Sequence, residues 1–266
     1  MHLDKYLKVL VQQHNRPVAM CEEFRKPRNE NDEFTGKPSF ERRVVRVLTP
    51  GTLIDEPFLN PYENNFLLAI ARETKERETR QDIGMAWIDV STGEFYTRSS
   101  PRNALKDHIA RISPREVVLD RALESDLVES VRSLLDDSNC PISFSDKATE
   151  ELEDVVTHAA EIVDDIVAQI DSSSVFSAAE TAAIAVLNSF LQANLLEHAP
   201  HHLHPLREDR AQRMQIDSYT LKALEIRESI REGGTSGSLM SCIRRTVTSS
   251  GTRLLSRWLC ECSRSI

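Results

Sequence analysis

Apolar side chains follow two regimes along this chain. Up to about residue 145 they come in short runs separated by turn residues, and beyond about residue 177 they recur only at helical spacing. Leu3, Leu7 and Leu10, with Tyr6 beside them, predict a short helix over 3–14 that Pro17 ends. Val18-Ala19-Met20-Cys21 reads as a buried strand, and residues 25–41, with Pro27, Gly36 and Pro38, as a loop. Val44 to Leu48 predicts a second strand, stopped by the turn Thr49-Pro50-Gly51-Thr52. Phe66 to Ala71, Met85 to Val90 and Glu94 to Thr97 predict three more strands, with a charged hairpin tip over 73–82 and a tight turn at Ser91-Thr92-Gly93. Leu105, Ile109 and Ile112 line one face of a helix over 102–112, entered after Pro101 and broken by Pro114. Val117 to Leu119 is a strand. Leu123, Leu127, Val131 and Leu134 or Leu135 mark a helix, Pro141 to Phe144 another strand, and 148–170 a mostly helical stretch. A hairpin followed by strand–helix alternation predicts an α/β domain with a mixed sheet.

The helical regime opens with Ser177 and Glu180, a capping box for a helix over 178–196 whose apolar stripe is Ile184, Leu187, Leu191 and Leu195. Asp217 is placed to cap a helix carrying Leu221, Leu224 and Ile226 and closed by Gly233-Gly234, with Ser238 and Ser250 as further caps. Leu254, Leu255, Trp258 and Leu259 give the last helix a large apolar face. That face packs either on the α/β domain or on something this chain does not contain. Pro57 and Pro61 keep the stretch after the Thr49-Pro50-Gly51-Thr52 turn extended, which places a domain boundary or connector near 49–62. Hinges are expected near Thr49–Pro61 and His198–Pro205, where extended Pro-containing segments suit a joint between moving bodies.

Composition narrows the class. Of 266 residues, 40% are hydrophobic and 28% charged, as in ordinary globular proteins. The longest clear apolar run, Ala182 to Leu187, falls far short of the roughly 18 residues of a membrane span, and the first residues lack the apolar core of a secretory signal. Five cysteines without a CxxC argue against a zinc site or a disulfide framework. The net charge of −9 argues against a simple basic nucleic-acid binder. Its distribution is uneven: residues 1–48 carry ten basic and seven acidic side chains, 136–171 eleven acids against Lys147 alone, and 200–266 eleven Arg/Lys against seven acids. The middle repels phosphate backbones and the C-terminal part tolerates them; a solvated helix face is the plainer account of the acidic block.

Few residues form a chemical motif. The chain has no Gly-x-x-x-x-Gly-Lys-Ser/Thr, so the phosphate loop is missing. Gly233-Gly234-Thr235-Ser236-Gly237-Ser238 has amides suited to an anion, but without a lysine it reads first as an inter-helix turn. His198, His201, His202 and His204 are close enough to bind a metal, yet they sit on a proline-flanked loop without an ordered carboxylate or cysteine pattern. Asp89 in a hairpin strand and Asp120 at the end of a later strand are the only carboxylates resembling those of a Mg²⁺-dependent nuclease. The alternative role for Asp89 is to bond the backbone of the Ser-Thr-Gly turn.

Three blocks resemble the MutS family of DNA mismatch-repair proteins. Tyr6 to Val11 leading to Pro17-Val18-Ala19-Met20-Cys21-Glu22-Glu23 is similar to the closing helix and strand of the family's mismatch-binding domain. Arg43 to Thr52, then Asn64 to Ile70 and Gly84 to Phe95, resemble the start of its connector domain. Asp217 to Leu224, Gly237-Ser238-Leu239, Arg245-Thr246-Val247-Thr248 and Gly251 to Leu259 resemble the opening of its helical core, or lever, domain. The blocks keep family order and spacing, and Tyr62-Glu63-Asn64-Asn65-Phe66 looks most like the mitochondrial branch.

The resemblance implies a remnant of the mismatch-binding domain over 1–48, a linker over 49–62, an RNase-H-like α/β connector over 63–197, and the start of the helical core over 198–266. The family's Phe-x-Glu wedge, its clamp and its ATPase have no counterpart here, so the resemblance transfers no catalytic, nucleotide-binding, mismatch-binding or metal residue, and no enzyme activity of this chain alone. It implies part of a larger machine in which the connector transmits ATP-dependent changes and docks a MutL-type partner. ATP and Mg²⁺, mismatched duplex DNA and dimerisation belong to the full-length family, with no membrane partner. A mitochondrial location is expected from the branch, with the nucleus or a bacterial cytoplasm as alternatives. The competing reading is an RNase-H-like nuclease using Asp89 and Asp120.

Overall fold

A computed structural model describes residues 3–25, 40–55, 58–60, 62–72, 82–123, 125–136, 139–145, 176–196, 205–208, 214, 216–231 and 233–260. The expected loop over 25–41 and hairpin tip over 73–82 fall largely outside these residues, and the helix over 148–170 and the histidine cluster over 198–204 wholly so. Among the described residues no helix is long and apolar enough to cross a membrane.

The first helix, α1 (Leu3–Leu7), continues as a wider π-helical turn over Lys8–Gln13. It leads into β1 (Val18–Arg25), which pairs antiparallel with β2 (Phe40–Leu48) as a two-stranded sheet. Leu7, Val11, Leu48, Leu53 and Phe58 form a small core beneath it. The larger body is a six-stranded mixed sheet in the order β7-β6-β3-β4-β5-β8. β3 (Phe66–Arg72), β4 (Asp82–Asp89) and β5 (Glu94–Pro101) form an antiparallel meander. The chain then crosses through α2 (Leu105–Ile112) to β6 (Glu116–Asp120), parallel to β3, and through α3 (Ser125–Leu135) to β7 (Ile142–Ser145), parallel to β6.

Both sheet faces are covered, which is why these strands read as nearly unbroken apolar runs. Leu68, Ile70, Met85 and Trp87 point to the face packed by α2 and α3. Leu67, Ala69, Ala86 and Ile88 point to the face packed by α4 (Ala178–Leu195), which contributes Ala183, Val186, Leu187, Phe190, Leu191 and Leu195. Small side chains under α4 let it lie close: a Cβ added at Gly84 would stand 1.7 Å from the carbonyl oxygen of Ala179. The capping box of α4 forms in full, with Ser177 accepting from the Glu180 amide and Glu180 from the Ser177 amide. The expected mixed-sheet α/β body followed by a helical segment is therefore the observed architecture.

Four local expectations change. The sheet gains β8 (Leu206–Arg207), parallel to β5 at the edge, which no sequence periodicity announced because it is only two residues long. α5 (Ser218–Ala223) is capped by Asp217 but ends after six residues, since Glu225 turns left-handed at φ +46°; Ile226 is buried beyond the helix and Leu224 is exposed. After α6 (Leu239–Ile243), capped by Ser238, the last helix α7 (Ser249–Cys260) begins with Thr248, not Ser250, accepting from the Gly251 amide at 3.1 Å. The fourth change is at the start of the expected first hinge, where Thr49–Leu53 is buried. There the Thr49 amide donates to Thr52 Oγ1 and the Gly51 amide to Glu116 Oε2, at 2.9 and 2.8 Å, and the Asn65 side-chain amide donates to the Pro50 carbonyl. Such bonding fastens this turn to β6, where an extended, unfastened segment was expected.

Candidate functional site

The chemistry of the described residues concentrates in a seam where the C-terminal helices meet the edge of the α/β body. β8 creates it. In an edge strand successive side chains alternate between faces, and here the alternation carries charge. Arg207 turns to the α4 face, its Nε 3.4 Å from Glu180 Oε1. Glu208 turns to the other face, where Oε1 accepts from Arg111 at 2.6 Å and Oε2 from Arg111 at 2.7 Å and from Arg98 at 3.0 Å. The Glu208 amide also donates to the Thr97 carbonyl, extending the β5 ladder.

Glu208, Arg98 and Arg111 are all nearly buried. Burial pushes the Glu208 carboxyl up, but the hydrogen bonds and charges of the two guanidiniums outweigh it and hold the group at about 2. Arg111 is held on its other side by Trp87, its guanidinium carbon 5.9 Å from the ring centroid. Tyr96 stands 5.8 Å from Trp87, and Arg257 of α7 lies 4.6 Å over Tyr96 while donating to its hydroxyl at 2.6 Å. Arg227 donates to the carbonyls of Ala110 and Arg111 at the end of α2, where the helix dipole favours a cation. Asp107 of α2 accepts from the first amide of α5, at Ser218. The helical segment is thus tied to the body by ion pairs, a helix-end cap and a cation–aromatic stack.

Between these ties lies a cavity of about 400 Å³, lined on the body side by Trp87, Tyr96 and Arg111 and on the helical side by Arg227, Arg244 and Arg257. The glycine turn that forms part of the helical side is a backbone device: Gly233 at φ +65° donates to the Ser229 carbonyl, and Ser229 donates to Gly234. Farther along, Leu254 and Trp258 of α7 remain 44% and 62% exposed, so the α/β body does not cover the face they share.

The two carboxylates of the nuclease reading do not come together. Asp89 pairs in register with Phe66 at the start of β3, whereas Leu119 pairs with Ile70, placing Asp120 beside the far end of the same strand. Five residues of strand separate them, roughly 17 Å, too far to share one metal ion or an adjacent pair. Asp89 is fully buried and accepts from the Asn65 and Ser91 amides and the Ser91 hydroxyl, which is the turn-bonding role. Asp120 accepts from the Ala122 amide in the same manner. Among the described residues no group of His, Cys, Asp and Glu is arranged to hold a metal ion. Burial and the neighbouring Glu116 push the Cys140 thiol up to about 12, which disfavours the thiolate.

Sequence reading located Asp89 and its turn but missed the seam. Arg98 and Arg111 lie 110 and 97 residues from Glu208, so no local spacing relates the three. One available signal was Arg111 on the buried face of α2, directly before Ile112.

Comparison with known proteins agrees with this architecture. The family model for MutS domain II matches residues 65–201, that for MutS domain I residues 1–57, and that for MutS domain III residues 219–266. The chain is similar to the DNA mismatch repair protein MutS of Rhodopseudomonas palustris (strain HaA2), 36% identical over 258 residues, covering 96% of this chain and 27% of that protein. It is 32% identical to the protein of the same name from Dinoroseobacter shibae, over 96% of this chain and 27% of the relative, and 32% identical to that from Ruegeria pomeroyi, over 98% and 28%. The chain therefore spans a little over a quarter of the length of these relatives. With a domain II match over half of its residues, flanked in order by domains I and III, the chain belongs to the MutS family.

Proposed function

We propose that this chain works as the connector and first lever section of a DNA mismatch-repair protein, passing conformational change between a DNA-bound end and an ATPase end and offering the α/β body to a MutL-type partner. One observation carries the reading. The Arg98–Glu208–Arg111 cluster fixes the segment entering the lever helices to the sheet edge, so displacement of one body pulls on the other. Mismatched duplex DNA, ATP with Mg²⁺ and a dimeric state belong in this proposal to the whole family protein. The 266 residues carry no phosphate loop, so no step is assigned to nucleotide here.

The antiparallel meander followed by two parallel crossovers supports an RNase-H-like connector without the nuclease's metal carboxylates. The boundaries at 48, 62 and 197 belong to the same proposal, with Leu206–Glu208 tethering the lever back to the connector. The Tyr62 to Phe66 wording supports the mitochondrial branch and a mitochondrial location, which imaging of a tagged full-length product in its own cells checks. The functional test uses the purified chain with a MutL-type protein. Co-sedimentation without DNA, together with neither ATP turnover nor Mg²⁺-dependent duplex cleavage, is the expected result. Duplex cleavage lost in Asp89→Asn would replace the reading with a nuclease, and ATP turnover by this chain would also overturn it.

A further inference from the structure

The cavity in the seam has a composition that the linkage role does not require. Among the described residues six arginines line it (Arg111, Arg115, Arg227, Arg244, Arg253 and Arg257), against three acids, Glu63, Glu208 and Glu228. Arg115 pairs with Glu63, and Arg111 shares Glu208 with Arg98. The lining is thus electropositive in a chain whose net charge is −9. Like charges around a partly desolvated space repel one another, and a bound anion relieves that repulsion.

The guanidiniums are also held in orientation before any ligand arrives. Arg244 lies 5.1 Å over the Tyr62 ring, Arg257 lies over Tyr96 and bonds its hydroxyl, and Arg227 is anchored on the α2 carbonyls. Planar guanidiniums fixed by stacking are the side chains best suited to phosphate oxygens. Ser236 and Ser256 add hydroxyls to the same wall. The volume of about 400 Å³ falls within the range of small-ligand sites.

We infer that the seam is a binding site for a diphosphate group, free or carried by a nucleotide, gripped between the α/β body and the lever helices by Arg244 and Arg257 with Arg227 behind them. The inference rests on the seam alone, and its failure leaves the connector reading standing. The site differs from the family's phosphate loop, which has no residues here.

Calorimetric titration of the whole 266-residue chain with sodium pyrophosphate at low ionic strength tests it, with ADP and adenosine as parallel arms. Saturable one-site binding is expected for pyrophosphate and ADP, weakening with added salt, and none for adenosine. Equal affinities for the first two mean that the phosphates alone are read; tighter ADP means that a nucleotide is the ligand. Arg244→Gln should weaken binding at least tenfold, while Arg42→Gln on the distant hairpin leaves it unchanged. Arg253→Gln serves as the second seam variant should the first lose its melting transition. Absence of saturation at millimolar pyrophosphate, adenosine binding as tightly as ADP, or equal loss in Arg42→Gln and the seam variants would each overturn the inference.

Discussion

Gly84 and Gly51 are glycines for want of space. A Cβ at Gly84 would overlap the Ala179 backbone, and one at Gly51 would stand 2.6 Å from Leu67 Cδ1 and 2.9 Å from Glu116 Cβ. Gly84→Ala forces α4 off the sheet, because a backbone carbonyl cannot swing aside as a side chain does. The expected cost is on the order of 3 kcal/mol, or roughly 6–12 °C in Tm for a domain of this size, measured by thermal unfolding. Gly93 gives the contrast: it has open space but φ +75°, so Gly93→Ala should lose only about 1–2 kcal/mol from backbone conformation.

Glu116 is the other informative single residue. Burial raises its carboxyl above the ordinary range, opposed by bonds from Ser143, Thr49 and Gly51. A raised folded value means that its contribution to stability is full below the unfolded value and is lost as pH rises through the folded one. Glu116→Gln should therefore flatten that part of the stability–pH curve, while Glu116→Ala leaves the Gly51 amide buried without its acceptor and costs about 1–3 kcal/mol in urea titrations at neutral pH. Asp89 was legible as a turn residue because its bonds run to Ser91, two positions away. Glu116 was not, since its bond to Gly51 crosses 65 positions.

At the scale of elements, legibility followed length and locality. The meander, β6, α2 and α3 have enough residues for their apolar spacing to register, and the capping box of α4 is complete within four positions. β8 is too short to carry a period, and α5 stops early because a buried Ile226 needs the chain to turn at Glu225, a tertiary demand that overrides local pattern. β8 depends on Glu208, and this dependence has a sign. The group's folded value is depressed from the usual 4.5 to about 2, so its stabilisation is present above about pH 4.5 and is lost as pH falls toward 2. Urea unfolding of the native chain should weaken across that window by on the order of 3 kcal/mol. Glu208→Gln should abolish the window and lower stability at neutral pH by about 3–5 kcal/mol, because Arg98 and Arg111 stay buried beside a neutral group. Hydrogen exchange supplies a local check: the Glu208 amide should exchange as slowly as those of β5 in the native chain and much faster in the variant.

At the scale of the whole molecule, charge is distributed so as to oppose tight DNA binding by this chain alone. The basic excess lies at the two ends, in residues 1–48 and 200–266, while 136–171 carries eleven acids against one lysine. Of the basic excess at the C-terminal end, Arg227 is turned inward on the α2 carbonyls and Arg257 on Tyr96, so neither is laid out along a phosphate track. Exposed cations remain at both ends, among them Arg42, Arg43, Lys222, Arg231 and Arg245, but the net charge of −9 opposes their pull on a duplex. The chain should therefore bind duplex DNA weakly, with a salt slope corresponding to fewer than about four neutralised phosphates, and should bind mismatched and matched duplexes equally. Fluorescence anisotropy across a salt series measures both quantities. A strong mismatch preference by the isolated chain would require base-reading side chains in domain I residues that the seam and the connector do not supply. Substituting the basic hairpin residues Arg42 and Arg43 would then locate that contact, because both lie on β2, far along the chain from the lever helices.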